Sequence, residues 1–255
     1  MLQALIFDVD GPLSETEETH RAAFNQAFAE AGTDWIWDQH LYRRLLDVTG
    51  GKERISYYLE EFEARHSHAV PGVGADLKQW IGALHARKTA IYNEMIISGA
   101  ARLRPGVEAL VRHACNAGLR LAIATTTSLP NVESLIRATL GPGGLAFFEV
   151  IAAGDMVKAK KPAPDVYLLA LRRLGLPPGA CLALEDSVNG LQSARAAQLP
   201  VIITTSVYTS HQAFPDVLAS VSDLDELARE AAGSAAAGGV ILTSLRALHA
   251  GNSAL

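Results

Sequence analysis

Two carboxylate pairs, one lysine and a run of hydroxyls are the residues of this sequence whose types and spacing could do chemistry. Asp8-Val9-Asp10-Gly11 directly follows the apolar run Ala4-Leu5-Ile6-Phe7. Gly11 lets the backbone turn and come close to a ligand. Glu185-Asp186 ends a second apolar run, Cys181–Leu184, in the same way. Four acids at one sheet edge would repel unless a cation sat among them. A hard, oxygen-ligated divalent ion, Mg2+ above all, suits such a donor set. Lys161 stands just ahead of Pro162-Ala163-Pro164-Asp165, where the prolines fix the turn and pre-set a first helical turn. A lysine held there could act as a point charge on a phosphate; Lys160 beside it reads as a solvated neighbour. Thr125-Thr126-Thr127-Ser128 closes another apolar run and leads into a helix. Its hydroxyls and N–H groups can bind an anion or simply cap the helix.

The elements that must position these residues follow from the apolar runs. Ala4–Phe7, Leu119–Thr125, Val150–Ala153, Cys181–Leu184 and Val201–Thr205 are too short for helices and lack alternation. They read as buried parallel strands. Helical patterns lie between the later runs, at Gly106–Ala117, Pro130–Leu140, Asp165–Leu174 and Val188–Ala197. The alternation predicts an α/β fold, a Rossmann-like doubly wound parallel sheet, whose ligand crevice lies at the carboxyl ends of the strands. Between the first and second strands only helices are expected: Thr16–Ala31, Gln39–Leu46, Lys52–Glu63 and Asp76–Ile97. The last carries Leu77, Trp80, Ile81, Leu84, Ile91 and Met95 at helical spacing. Such a block, leaving and re-entering the core at the active edge, is an inserted all-helical cap domain able to act as a lid. Trp35 and Trp37 belong to its core or surface. The expected division is a core of residues 1–14 and 99–232, a cap of 15–98, and a tail of 233–255. In the tail, Gly233–Gly239 reads as a flexible linker and Val240–His249 as a short amphipathic helix.

Composition excludes several classes. Of 255 residues, 49% are hydrophobic and 19% charged, the balance of a compact globular chain; a prior of roughly 100–200 residues per domain favours two domains. A net charge of −5 argues against a broad basic face for nucleic acid. No apolar run approaches the ~20 residues of a membrane span, and the opening MLQALIFDVD is not a signal peptide. Cys115 and Cys181 lie in apolar elements and read as free thiols, which fits a reducing, cytoplasmic location. A monomer is expected.

The carboxylate pair, hydroxyl run, lysine and second carboxylate pair, in this order at the ends of four strands, resemble the four motifs of the haloacid dehalogenase-like hydrolase superfamily. The resemblance covers about residues 1–230. The helical insertion looks like that superfamily's C1-type cap, as in the β-phosphoglucomutase-like and phosphoglycolate phosphatase-like branch, to which the phrases KKPAPDVY and LEDSVNGL are close. Thr49-Gly50-Gly51-Lys52-Glu53-Arg54, the segment DWIWD and IATTTSLPN are similar to a narrower group. These are the proteobacterial xylulose-1,5-bisphosphate phosphatases encoded alongside the Calvin cycle, which remove a misfire product of Rubisco that would otherwise inhibit it.

The resemblance implies that Asp8 is the nucleophile, forming an aspartyl-phosphate, and Asp10 the acid/base. It implies Mg2+ held by Asp8, Asp186 and the backbone carbonyl of Asp10, with Glu185 acting directly or through water. Thr125, Thr126 and Lys161 would hold the transferring phosphoryl group. A sugar bisphosphate has a second phosphate that does not react. Lys52 and Arg54 are suited to hold it, with Gly50 and Gly51 permitting close backbone approach and Arg54 binding bidentately. Glu17 and Tyr42 are candidates for the sugar hydroxyls. His20 matches a histidine that supports the hinge region in the mutase relatives, and is otherwise a helix-face residue. The sequence departs from the family at position 12, where Thr or Val is usual. Pro12 deletes a backbone donor beside the phosphate site and constrains Gly11. The expected function is Mg2+-dependent hydrolysis of a sugar bisphosphate, foremost xylulose 1,5-bisphosphate. The alternatives are a β-phosphoglucomutase-like phosphomutase, a phosphoglycolate phosphatase-like enzyme and, behind these, a catalytically weak phospho-ligand binder.

Overall fold

The computed structural model describes residues 1–62, 70–71, 74–230 and 237–252. The chain forms two compact units, Met1–Glu15 with Ala101–Leu255, and Thr16–Ala100. The first strand, β1 (Ala4–Phe7), belongs to the first unit and is followed by the whole of the second.

The second unit is helical: α1 (Glu17–Glu30), α2 (Gln39–Leu45), α3 (Gly51–Glu61) and α4 (Ala75–Ile97). Position 63, the expected end of α3, lies outside the described residues. α2 starts where the Asp38 carboxylate accepts the Leu41 N–H at 2.7 Å, satisfying one of the donors a helix start leaves over. α3 starts instead at Gly50, whose φ of +100° suits glycine, and no side chain caps it. Aromatic rings fill the interior of the unit. Trp37 is fully buried, 4.7 Å from Phe24 and 4.8 Å from Phe28 between ring centroids. Trp35 stands edge-on to Phe28 and Trp80. Both tryptophans are therefore core. The buried stripe of α4 runs through Ile81, Leu84, Lys88, Ile91, Tyr92 and Ile96; the expected Leu77, Trp80 and Met95 are only partly covered.

The first unit is the expected α/β core. β1, β2 (Arg120–Ala124), β3 (Val150–Ala152), β4 (Cys181–Glu185), β5 (Val201–Thr204) and β6 (Ala219–Val221) form one parallel sheet in the order β3-β2-β1-β4-β5-β6. Its helices are α5 (Val107–Asn116), α6 (Leu129–Leu140), α7 (Asp165–Leu174), α8 (Val188–Ala196), α9 (Leu224–Glu230) and α10 (Ala237–Asn252). One face of β1 and β2, through Ala4, Ile6, Ala122 and Ala124, packs in a cluster with Val166, Ala170 and Leu191 of α7 and α8. The strand order reverses between β1 and β4, which makes the carboxyl ends of those strands the topological switch point.

Two expectations change. β6, only three residues long with a serine at its centre, carries no apolar run to mark it. The expected linker Gly233–Gly239 is helical from Ala237; residues 233–236 lie outside the described residues. A Cβ at Gly238 would overlap the Ala109 carbonyl of α5, so this glycine serves helix–helix contact rather than slack. Among the described residues no helix is long and apolar enough to cross a membrane.

Candidate active site

The ladder that joins β1 to β4 continues one residue past β1, where the Asp8 N–H donates to the Leu184 carbonyl at 3.0 Å. Asp8 is thereby fixed beside the end of β4. The chain then turns tightly. Leu13 and Ser14 N–H groups both donate to the Val9 carbonyl, and the Gly11 N–H donates to the Ser14 carbonyl at 2.9 Å. Gly11 has φ +100°, and a Cβ there would overlap the Asp186 carboxylate. The close approach that glycine permits is thus to Asp186, a second reason for its identity beyond the turn.

Asp8, Glu185 and Asp186 are all buried and offer oxygen atoms within 4.8 Å of one another. Lys161 lies among them, its Nζ 3.0 Å from Asp8 Oδ1 and 2.6 Å from Glu185 Oε1. The Tyr167 hydroxyl of α7 donates to the same Glu185 Oε1 at 2.5 Å, and Lys161 Nζ sits 5.1 Å from the centre of the Tyr167 ring. The Asp186 N–H donates to Glu185 Oε2 at 3.3 Å, and the Thr209 hydroxyl donates to Asp186 Oδ2 at 3.3 Å. A Cβ at Gly190 would overlap the Glu185 carboxylate, so α8 can start this close to the site only with glycine there. Tyr167 and Thr209 were not singled out from the sequence. A tyrosine on an apolar helix face reads as core, and only the fold brings its hydroxyl to Glu185.

The electrostatics follow from crowding. Burial raises the Asp8 pKa to about 7; Glu185 and Asp10 push the same way, against the pull of Lys161. Burial works against the charge of Lys161, but Asp8 and Glu185 outweigh it and its pKa is raised. Burial and the same carboxylates hold the Tyr167 pKa well above that of an ordinary phenol, so the hydroxyl stays a donor. One ammonium against three buried carboxylates, with Asp10 beside them, leaves the group short of positive charge. An all-oxygen donor set of this kind fits Mg2+, with Asp8, Glu185 and Asp186 as the residues to hold it.

At the end of β2, the Thr125 N–H donates to the Ala152 carbonyl at 3.0 Å, and the Thr125 hydroxyl accepts from the Thr127 N–H at 3.3 Å. Thr126 follows, half-buried, its carbonyl packed on Gly154, where a Cβ would overlap it. The turn lies at the same sheet edge as Asp8, since β2 neighbours β1 in register, Ile123 opposite Phe7.

The candidates in the helical unit fall into two groups. Glu17, Tyr42 and Arg54 meet: the Tyr42 hydroxyl donates to Glu17 Oε2 at 2.9 Å and accepts from Arg54 Nη1 at 3.1 Å. Arg54 Nε and Nη2 donate to the Leu45 and Val48 carbonyls at 3.0 and 3.3 Å. Each nitrogen of the guanidinium thus already serves a partner inside the unit. Lys52, by contrast, is exposed at the start of α3, next to Gly50 and Gly51. Gly51 packs against the His85 ring, which a Cβ would overlap. His20 is buried rather than on an open helix face. Its ring stacks on Tyr92, centroids 4.0 Å apart, and Nδ1 lies 2.6 Å from Lys88 Nζ. Lys88, a lysine on the buried stripe of α4, also sits over the Phe24 ring at 4.6 Å. Sequence reasoning passed over it because a lone lysine in a helix reads as solvated.

Comparison with known proteins adds an independent line. A family model described as haloacid dehalogenase-like hydrolase matches residues 2–198. The protein CbbY of Rhodobacter capsulatus is 53% identical over 230 residues, 90% of this chain and 97% of its own. Protein CbbY of Cereibacter sphaeroides is 51% identical over 214 residues, 84% of this chain and 89% of its own. A crystal structure of CbbY from Rhodobacter sphaeroides, the D10N mutant in complex with xylulose 1,5-bisphosphate, superposes with a TM-score of 0.80 at 48% identity, covering 89% of this chain and 96% of that one.

Proposed function

Since this chain belongs to the haloacid dehalogenase-like hydrolase family and is a phosphatase, we propose that it hydrolyses a sugar bisphosphate, xylulose 1,5-bisphosphate, to the monophosphate. The observation that carries the reading is the buried group of Asp8, Lys161, Glu185 and Asp186 at the switch point of the sheet. The solved CbbY complex with xylulose 1,5-bisphosphate supports the choice of sugar.

On this reading Asp8 Oδ attacks the phosphorus, the sugar oxygen leaves, and an aspartyl-phosphate forms on Asp8. Asp10 gives its proton to the leaving oxygen, then takes one from the water that attacks the aspartyl-phosphate. Lys161 holds one phosphoryl oxygen while remaining anchored to Glu185; the hydroxyl and N–H groups of Thr125 and Thr126 hold others. Asp8, Glu185 and Asp186 would hold Mg2+, which would supply positive charge against the phosphoryl oxygens. Lys52, at the Gly50-Gly51 start of α3, serves the phosphate that does not react. Glu17 and Tyr42 serve the sugar hydroxyls. Arg54 keeps Tyr42 and the residues 45–48 in place, a role its three bonds support. His20, bonded to Lys88, is assigned a supporting role in the helical unit. The protein works as a cytoplasmic monomer and clears a by-product that would inhibit Rubisco.

A phosphate-release panel with Mg2+ tests this. Xylulose 1,5-bisphosphate should exceed ribulose 1,5-bisphosphate, phosphoglycolate and glucose phosphates in kcat/KM by at least about 100-fold, or ~2.7 kcal/mol of transition-state discrimination. Preference for a monophosphate would refute the bisphosphate reading. Isomerised sugar phosphate without free phosphate, in the same tubes, would mark a mutase instead.

A further inference from the structure

Arg104 lies outside the group just described, yet its side chain reaches the turn that follows Asp8 and Asp10. It is 9% exposed and belongs to the segment that re-enters the first unit. Its Nη1 donates to the Gly11 carbonyl at 2.9 Å and to the Thr204 carbonyl at 3.4 Å; Nη2 donates to the Thr205 carbonyl at 2.8 Å and to the Ser222 carbonyl. Glu15 Oε1 lies 3.1 Å from Nη1. The Arg104 N–H donates to the Leu13 carbonyl at 2.9 Å, and the Ser14 hydroxyl to the Arg102 carbonyl at 2.7 Å. One planar fork therefore joins the turn after β1, the end of β5 and the residue after β6.

Pro12 sharpens the point. The peptide between Gly11 and Pro12 has no N–H, so its only hydrogen-bonding group is the Gly11 carbonyl. Arg104 takes that group. Gly11, one position after Asp10, is also the residue where a Cβ would overlap the Asp186 carboxylate. Rotation of this peptide would move the Asp10 side of the turn and the contact with Asp186 together.

We propose that Arg104 is a positioning residue for the turn that carries Asp10 and Gly11, holding the Gly11 carbonyl so that Asp10 and Asp186 keep their places. The proposal rests on the reading of Asp8 and Asp10 as the reacting carboxylates. Lysine cannot replace Arg104, because three donors on one point cannot reach carbonyls spread around a planar fork.

The test uses the full chain, p-nitrophenyl phosphate as a substrate with no sugar to contact, and Mg2+ alone as a binding probe. Arg104→Lys should lower kcat by about thirtyfold or more, leave KM within about threefold, and weaken Mg2+ affinity about tenfold by calorimetry. Both effects within about twofold of wild type in a folded variant would overturn it. So would a loss of kcat that disappears on cooling, in step with a lowered melting temperature, because that loss is one of folding alone. If Arg104→Lys does not fold, Glu15→Gln decides: Glu15 is partly exposed, and kcat should fall about threefold at constant KM. Unchanged kcat there overturns the proposal. If the wild type releases phosphate from neither p-nitrophenyl phosphate nor any sugar phosphate, the phosphatase reading falls, and the Mg2+ affinities still decide the role of Arg104.

Discussion

Tyr167→Phe removes one oxygen from the centre of the buried site and nothing else. The ring is fully buried in the cluster behind β1 and β4, and phenylalanine fills the same space. What is lost is the donor 2.5 Å from Glu185 Oε1. A hydrogen bond to a charged group is worth about 1.5–3 kcal/mol, and here the acceptor has no water to turn to. Glu185 Oε1 keeps Lys161 at 2.6 Å, which softens the loss. A destabilisation of about 2 kcal/mol is therefore expected from urea unfolding. The effect on rate follows from the same geometry. Lys161 bridges Glu185 and Asp8, and a Glu185 with one donor fewer draws Lys161 toward itself and away from the phosphoryl position. A fall in kcat of about tenfold, or ~1.4 kcal/mol, should accompany unchanged KM. A variant within about 0.5 kcal/mol of wild type in stability, with unaltered kcat, would mean that Glu185 is held without Tyr167 and would refute the reasoning.

The raised pKa of Asp8 makes a pH prediction. The folded protein holds this proton up to about 7, whereas the unfolded carboxyl releases it near 3.8, so metal-free stability should fall as pH rises through that window. Relative to Asp8→Asn, melts in chelator should show a gap that shifts by up to about 4 kcal/mol against the wild type between pH 4 and 8; a constant gap contradicts the assignment. Arg54→Ala should cost on the order of 3 kcal/mol of stability by circular dichroism, since it strands two carbonyls. Lys52→Ala should leave stability unchanged and raise KM about tenfold for a bisphosphate only; the reverse pattern would exchange their roles. Activity should vanish with chelator and return with Mg2+ but poorly with Ca2+, whose coordination is longer and more variable; full activity in chelator would remove the metal.

The ends of β1 and β4 were legible because their apolar runs stop abruptly at a group that cannot be buried without a partner. Ala4–Phe7 stops at Asp8 and Cys181–Leu184 at Glu185, and these are the residues the fold brings together. β6 was invisible because Ala-Ser-Val gains its strand character from pairing with β5 alone. Lys88 and Tyr167 were missed for one reason: local pattern assigns a lysine to water and a tyrosine to the core, and only tertiary contacts show the opposite end of each side chain at work. Gly238 was misread by composition, which cannot tell a glycine that loosens a chain from one that admits a neighbouring backbone.

The placement of β1 has a consequence for synthesis. β1 leaves the ribosome before the other strands of its sheet, yet it is an interior strand, and Ala4 pairs with Arg120 on one side and Cys181 on the other. Neither partner exists until the helices within Thr16–Ala100 have been made, and Cys181 comes well after Arg120. Such non-local pairing is slow, because loop closure must precede any gain. For that interval a wholly apolar strand waits with both edges unpaired, a template for aggregation or for a chaperone that shields extended apolar segments. Chains stalled before Cys181 should therefore be captured through Ala4–Phe7, and those released complete should not.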